Sequence, residues 1–193
     1  RAIVALGLPC IQQTCRPGLR ALMAEAGIQG KVTSEQVAFQ LAPRINACGR
    51  LASARIALEL LETKDPARAR ELAAQAQALN QSRKEQEQQV IAAAEKQVQQ
   101  MDLVAIRAIV VCGEGWNSGV VGLAAGRIAE KYAYPTVALS RDGDVCVGSA
   151  RSAGDVDIYE ALGQCQDLFV RFGGHKQAAG LTMPAENVDA FRQ

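Results

Sequence analysis

After Pro66 neither proline nor glycine occurs until Gly113, and this stretch constrains the fold more than any other. Leucine, alanine, valine and isoleucine recur through it at helical spacing, while Asp65 and Pro66 suit the N-cap and first turn of a helix. The pattern predicts one amphipathic helix of roughly 30 residues or more, about 45 Å long.

The middle of this segment, residues 80–89, is almost wholly polar. A helix that is polar on all sides is typical of a connection that bridges two domains through solvent. Two helices with a break near Asn80 and Ser82 remain the alternative.

The first 64 residues are predicted to be mainly helical. The stretch "RPGLRALMAEAG" places Pro17 at a helix start and Gly27 just past its end. A second helix begins near Ser34 and is expected to stop at Pro43, and "ASARIALELLET" indicates a third.

In the last part of the chain the spacing of apolar residues changes from helical to a mixture of strand-like and helical segments. This pattern predicts the order β-α-β-β-α-β-α. The strands are "AIRAIVVC", "YPTVALS", "DVCVGSAR" and "AAGLTMP", and the helices are "VVGLAAGRIAEKY", "DIYEALGQCQDLFVRF" and "AENVDAFRQ". The fold class is therefore α/β, a mixed β-sheet with flanking helices. The expected organisation is a helical part over 1–64, a connecting helix over 65–100 and the α/β domain over 101–193.

Composition excludes several classes of protein. The net charge of +1 lacks the basic footprint of a protein that binds any duplex by charge alone, so a polyanion would be held by a few placed arginines. Aromatic residues make up 4%, too few for an extended base-stacking platform. There is no apolar run of transmembrane length and no secretory signal pattern. The six cysteines form no CxxC pair and have one histidine to join them, which favours reduced, mostly buried thiols in a cytoplasmic protein over a zinc site.

Four glycine-containing clusters beside predicted element ends could bind phosphate: "APRINACGRL", "GEGWNSGVVG", "GSARS" and "RFGGHKQAAGL". Glycine permits positive φ and close approach of a ligand, and exposed amides at turns form anion nests. Arginine suits phosphate bidentately, and an imidazole can donate to it. The candidate binding residues are Arg44, Asn46, Arg50, Trp116, Ser149, Arg151, Ser152, Gly173, Gly174, His175 and Lys176.

Structural roles for the same residues stay open. Glycine-rich turns commonly serve the fold alone, Trp116 suits packing, and an arginine at a strand end suits a surface ion pair. His175, the only histidine of the chain, could instead cap a helix without touching a ligand.

The chain holds no constellation for hydrolysis by itself. A two-metal phosphodiesterase needs several converging Asp, Glu or His ligands, and the nearest patterns, "DGD" and "DVD", are typical of turns and helix caps. No catalytic or metal-binding residue is therefore assigned, although an assisting role of His175 is left open. The sequence suggests the binding half of a site whose chemistry lies elsewhere.

The ordered set "LAPRINACGRL", "ALELLETKDPARARELA", "GEGWNSGVVGLAAGRIAEKY", "GSARS" and "RFGGHKQAAGL" resembles the RecJ-type single-stranded-DNA exonucleases of the DHH phosphoesterase superfamily. The resemblance covers essentially the whole chain. It implies a remnant of the DHH domain, a long connecting helix and a DHH-associated domain that binds substrate. Two departures stand out: Asn117 replaces a frequent His, and Lys176-Gln177 replaces a frequent Ala-Met.

The resemblance further implies a fragment of a 5′-to-3′ exonuclease of DNA repair and recombination, inactive alone. Mn²⁺ or Mg²⁺ would be bound by the absent part of the DHH domain, and single-stranded DNA would be the partner. The repair proteins it meets are not indicated. The alternatives are an oligoribonuclease or cyclic dinucleotide phosphodiesterase of the same superfamily, and a non-catalytic nucleic-acid-binding or assembly module.

Overall fold

A computed structural model describes residues 2–193. The chain up to Lys84 forms one compact unit and the chain from Glu85 onward forms another, so the boundary falls within the long helix α6 (Pro66–Val98). The predicted single helix is confirmed, because α6 is continuous over 33 residues. No helix within residues 2–193 combines the length and apolarity needed to cross a membrane.

Within the polar middle of α6 only Asn80 departs from the expected exposure, because residues 81–89 are exposed or half-buried. Asn80 is only 2% exposed and accepts a hydrogen bond from Arg83 at 3.1 Å. Val90 is 4% exposed. The buried residues of α6 form two groups, one before residue 81 and one from residue 90 onward: Ala69, Leu72, Ala73, Ala76 and Asn80, then Val90, Ala94 and Val98.

The first unit is helical, as predicted. Its helices are α1 (Ala2–Gln12), α2 (Pro17–Glu25), α3 (Ser34–Gln36), α4 (Ala42–Leu51), α5 (Ala54–Glu62) and the first part of α6. Helix α2 begins at Pro17, and Gly27 lies just past its end with φ +67°, both as the sequence indicates. The core of this unit is formed by apolar side chains that include Leu22, Leu41, Cys48, Leu60 and Leu72.

Pro43 does not stop a helix, so that prediction is wrong. A π-helical turn over Val37–Leu41 joins α3 to α4, and Ala42 donates its amide to the carbonyl of Val37. Pro43 then falls in the first turn of α4, where the missing N–H costs least. The wider π-turn absorbs the proline without ending the helical path.

The second unit contains the predicted mixed sheet with flanking helices. Among the described residues five strands pair in the order β1-β2-β3-β5-β4. Strands β1 and β2 are parallel, and the other pairs are antiparallel. The strands are β1 (Ile109–Glu114), β2 (Thr136–Asp142), β3 (Val145–Arg151), β4 (Arg171–His175) and β5 (Ala178–Pro184), and the helices are α7 (Ser118–Tyr132), α8 (Ile158–Gly163) and α9 (Val188–Arg192).

Strand β4 was not predicted. The sequence suggested a helix running through Phe172 and a glycine loop after it, whereas α8 ends at Gly163 and "RFGGH" is a strand. Two glycines give this segment little strand propensity of its own. Its pairing with β5 supplies the hydrogen bonds instead, so tertiary context decides the outcome.

The edge strand β1 is protected by a side chain of α6. Gln97 donates its Nε2 to the carbonyl of Cys112 at 2.7 Å and accepts from the amide of Cys112 at 3.1 Å. One glutamine thereby takes the place of a neighbouring strand residue, which satisfies an otherwise open sheet edge.

The two faces of the sheet are covered by different helices. Helices α8 and α9 pack on one face over Val137, Cys146 and Leu181. Helix α7 and the end of α6 pack on the other over Val111 and Ala138, and this second side is called the α7 face below.

The thiols are all free, and only Cys48 and Cys146 are fully buried, so the expectation of mostly buried cysteines is met in part.

Candidate nucleic-acid interface

Four candidate residues of β3 and β4, namely Ser149, Arg151, Gly173 and His175, lie on the α7 face in regular rows. Pairing aligns Arg151 of β3 with Ala178 of β5 and His175 of β4. The next row holds Ser149, Gly180 and Gly173, and the third holds Val147, Thr182 and Arg171. Ala138, which packs against α7, is the partner of Ser149, so all three rows share its face.

Arg151 is oriented by its own strand. One guanidinium nitrogen donates to Ser149 Oγ at 2.6 Å and to the carbonyl of Ala150 at 2.8 Å. Helix α7 approaches closely at Gly122, where an added Cβ would lie 2.8 Å from the guanidinium and 2.9 Å from Ser149 Oγ. The absent side chain of Gly122 therefore makes room for the Arg151–Ser149 pair.

His175 ends β4 and is exposed at a two-residue hairpin turn. Its Nδ1 accepts the amide of Gln177 at 3.2 Å, so the neutral ring carries its proton on Nε2. The suggestion that His175 caps a helix is wrong, since it caps a hairpin. Because β5 separates β3 from β4, His175 and Arg151 do not sit on adjacent strands, and their Cα atoms are about 10 Å apart across it.

The two glycines before His175 have different roles. Gly173 faces open space on the α7 side, with nothing within 4 Å of an added Cβ. Gly174 faces the opposite side, where an added Cβ would lie 2.5 Å from the Cα of Ala179. Gly174 therefore serves sheet packing. Neither has positive φ, so the predicted anion nest at "GGH" is wrong, and Gly148 of "GSARS" is likewise a strand residue.

Ser152 and Lys176 hold the hairpin in place through the backbone. The amide of Ser152 donates to the carbonyl of Gln177 at 3.0 Å, and its hydroxyl donates to the carbonyl of Val156. Ile158, the first residue of α8, donates to the carbonyl of Lys176 at 3.0 Å. The hydroxyl of Ser152 is thus engaged within the fold, while the Lys176 side chain is exposed.

The cluster "GEGWNSG" is a genuine strand-to-helix turn, with Gly115 at φ +68°. The indole of Trp116 lies so close over Gly113 that any Cβ there would clash with the ring. It packs on the core shared by α6, α7 and β1. Asn117 is the N-cap of α7 and accepts the amide of Gly119 at 2.8 Å. The packing role of Trp116, left open by the sequence, is the one observed.

The candidates in "APRINACGRL" all lie on α4 in the first unit. Arg44 donates to the carbonyl of Gln40 at 2.6 Å, within the π-turn, and to that of Glu25 at 3.4 Å, at the end of α2. Burial lowers the pKa of the Arg44 guanidinium, and the charge of Glu25 opposes this shift. Arg44 therefore braces the unit, whereas Asn46 and Arg50 are exposed on the surface of α4.

Four residues of the α7 face were missed: Val147, Arg171, Gly180 and Thr182. They occupy the rows beside Ser149 and His175. The alternation of side chains along β3 and β5 is the signal that could have found Val147, Gly180 and Thr182. Arg171 required knowing that "RFGGH" is a strand.

The charge of this surface favours an anion. Of the nine positions in the three rows, two are arginine, one is histidine and none is Asp or Glu. No group of three His, Cys, Asp or Glu side chains in the described part of the chain is placed to hold a metal ion. The three rows therefore present cationic and polar side chains without a carboxylate.

Comparison with known proteins identifies relatives over the entire chain. The DHHA1 domain family matches residues 104–193. The single-stranded-DNA-specific exonuclease RecJ of Bacillus subtilis (strain 168) is 40% identical over 195 residues, covering 100% of this chain and 25% of that protein. The protein of the same name from Dickeya dadantii (strain 3937) is 35% identical over 204 residues, covering 100% and 35%. The chain thus spans about a quarter to a third of these relatives.

Solved structures agree with this relationship. RecJ from Thermus thermophilus in complex with Mg²⁺ superposes with a TM-score of 0.88 at 38% identity, over 99% of this chain and 29% of that one. An exonuclease RecJ bound to manganese superposes with a TM-score of 0.84 at 37% identity, over 99% and 47%. The resemblance suggested by the motifs is confirmed at the level of both sequence and fold. Residues 104–193 thus match the DHHA1 domain family, and over its whole length the chain is similar to one part of the RecJ exonucleases.

Proposed function

We propose that this chain is the substrate-gripping part of a 5′-to-3′ exonuclease specific for single-stranded DNA, acting in DNA repair and recombination in the cytoplasm. The observation that carries the proposal is the row of Arg151 and His175 across β5, with Ser149 beside Arg151 and no carboxylate in the surrounding rows. The relatives support the proposal because both are named single-stranded-DNA-specific exonuclease RecJ.

Each of the three side chains offers phosphate a different donor. Arg151 provides a charged planar fork whose direction is set by Ser149. Ser149 accepts from Arg151, so its own hydroxyl proton can be directed to a phosphate oxygen. His175 accepts the turn amide through Nδ1, which leaves Nε2–H to donate. Together they bind and orient a backbone phosphate.

The division of labour in the proposed enzyme follows from the donor set. The described residues do not assemble a metal centre, while relatives have been crystallised with Mg²⁺ and with Mn²⁺. We assign metal binding to the part of the relatives that this chain does not span. In this proposal the chain supplies grip and orientation and is inactive alone. Release of mononucleotides from single-stranded DNA by the purified chain in the presence of Mn²⁺ would overturn that assignment.

Salt-dependent binding tests the grip directly. The probe is a 5′-phosphorylated deoxythymidine oligomer of about ten nucleotides, within the span of ordinary single-strand sites. Arg151→Ala should weaken binding by about 1–3 kcal/mol and reduce the salt slope by about one phosphate contact. Arg192→Ala is the matched control, since Arg192 lies on α9 at the other face and pairs with Asp189.

Equal affinities and parallel slopes for wild type and Arg151→Ala would refute phosphate recognition by this row. A duplex, an oligoribonucleotide and a cyclic dinucleotide serve as comparison probes. Tighter binding of either of the last two would favour the corresponding phosphodiesterase over a DNA exonuclease. Binding of none of the probes would favour an assembly module.

A further inference from the structure

The α7 face continues beyond the row of Arg151 into an open groove. Helix α7 packs on β2 and β3, while Gly173 and Gly180 remain exposed. The groove has a volume of about 350 Å³, within the range of sites that accept small ligands. It is lined by Val147, Gly148, Arg171, Phe172, Gly173, Gly180, Leu181 and Thr182.

The floor of the groove is flat because it is made of glycine. Gly173 and Gly180 are cross-strand partners. An added Cβ would meet nothing within 4 Å at Gly173 and only the carbonyl of Gly148, 3.9 Å away, at Gly180. Val147 stands beside this floor and is 40% exposed. A planar ring could therefore lie directly on the sheet with an apolar wall beside it.

The far end of the groove is cationic. Arg171 is exposed, and its Nε donates to Thr182 Oγ1 at 3.3 Å, the cross-strand partner. The row of Arg171 lies two rows from that of Arg151, about 13 Å along the strands. Two arginines thus bracket the glycine floor, in an arrangement that complements a polyanion with planar groups between its charges.

We propose that this groove is a second nucleotide subsite. The sugar and base of the nucleotide adjoining the phosphate at Arg151 lie on Gly173 and Gly180 against Val147, and Arg171 binds the following phosphate. The inference rests on the proposed function and extends it from one phosphate contact to a path along the sheet. Because the floor presents no side chain to a base edge, recognition here is independent of base identity.

Two probes separate this subsite from the first. One is thymidine 5′-monophosphate, and the other is the 5′-phosphorylated thymidine trinucleotide, each titrated calorimetrically into the chain. Wild type should bind the trinucleotide more tightly than the mononucleotide. Gly180→Val fills the floor, and Arg171→Ala removes the distal charge. Arg171→Ala should weaken trinucleotide binding about fivefold or more while leaving mononucleotide binding unchanged, because the mononucleotide lacks the following phosphate. Gly180→Val should weaken the binding of both probes, because the sugar and base of the mononucleotide also lie on the glycine floor.

The control variants distinguish a loss of nucleotide binding from a loss of folding. Valine suits a strand, and Gly180 has room for its Cβ, so thermal unfolding should show an intact variant. Gly180→Ala should have a smaller effect than Gly180→Val. Arg192→Ala should bind both probes as wild type does, and Arg151→Ala should lose affinity for both.

The outcomes are distinct. If Arg151→Ala weakens both probes while Gly180→Val and Arg171→Ala bind the trinucleotide as wild type does, the second subsite is refuted and the proposed grip stands. If wild type binds the trinucleotide no more tightly than the mononucleotide, the subsite is also refuted. If Arg151→Ala changes neither probe, the proposed function itself fails.

Discussion

Arg151 of β3 and His175 of β4 face each other across a single residue, Ala178 of β5, because both are its cross-strand partners. The sheet therefore spaces a guanidinium and an imidazole by two strand widths, about 10 Å. The hairpin turn beside His175 is held by the amides of Ser152 and Ile158. Both donors are thus presented on a backbone braced by hydrogen bonds.

Two substitutions of His175 distinguish a ligand contact from a turn cap. His175→Asn keeps an acceptor for the Gln177 amide but removes Nε2, and His175→Ala removes both. We expect both variants to bind the oligonucleotide more weakly, by about 1–2 kcal/mol, since both lose the outward donor. Only His175→Ala should also lower the melting temperature. Recovery of wild-type binding by His175→Asn would show that the imidazole acts only on the turn.

Arg44 is expected to matter for stability. Arg44→Ala leaves the carbonyls of Gln40 and Glu25 without this donor, which should cost about 1–3 kcal/mol in the free energy of unfolding. Urea denaturation measures the change. Arg20→Ala, at an exposed position of α2, is the control and should stay within about 0.5 kcal/mol of wild type. Equal stability of the two variants would contradict the bracing role.

Two glycine-to-alanine changes should have opposite effects. At Gly18 of α2 an added Cβ would overlap the Leu60 carbonyl oxygen of α5, whereas at Gly126 of α7 nothing lies within 4 Å. Gly18→Ala should destabilise the first unit by about 3 kcal/mol or prevent its folding. Gly126→Ala should stabilise by about 0.5–1 kcal/mol through helix propensity. The melting temperatures of the two variants, compared with that of wild type, test both expectations. A Gly18→Ala variant as stable as wild type would argue against the close contact between α2 and α5.

Alkaline pH should destabilise the second unit through Cys146. Burial, together with the adjacent Cys112, raises the pKa of the Cys146 thiol to about 11, against about 9 in an unfolded chain. The folded state holds the proton more tightly, so this stability is complete below pH 9 and is lost as pH rises toward 11. By pH 10.5 the loss is on the order of 2 kcal/mol.

Cys146→Ala provides the reference for this pH effect, because it lacks the titrating group. The free energy of unfolding in urea is measured at pH 8 and at pH 10.5 for both proteins. Wild type should lose more stability than Cys146→Ala over this interval. An identical loss in the two proteins would exclude Cys146 as the source.

The sequence by itself determined the elements whose signals are local. The absence of proline and glycine after Pro66 specified α6, and Pro17 and Gly27 specified the limits of α2. The alternation in "DVCVGSAR" specified β3, and with it the common face of Ser149 and Arg151. Helix capping and side-chain periodicity act over a few residues, so they can be read without the fold.

Only the tertiary structure decided how the remaining residues are used. Strand β4 exists because β5 supplies its hydrogen bonds, although the sequence suggested a glycine loop there. The pairing places His175, Gly173 and Arg171 on one face of the sheet. Trp116 packs on a core that includes side chains of α6 and α7, and Arg44 donates to the carbonyl of Glu25, 19 residues away in the sequence. Register between strands and contact between distant segments are properties of the assembled chain, and no local pattern encodes them.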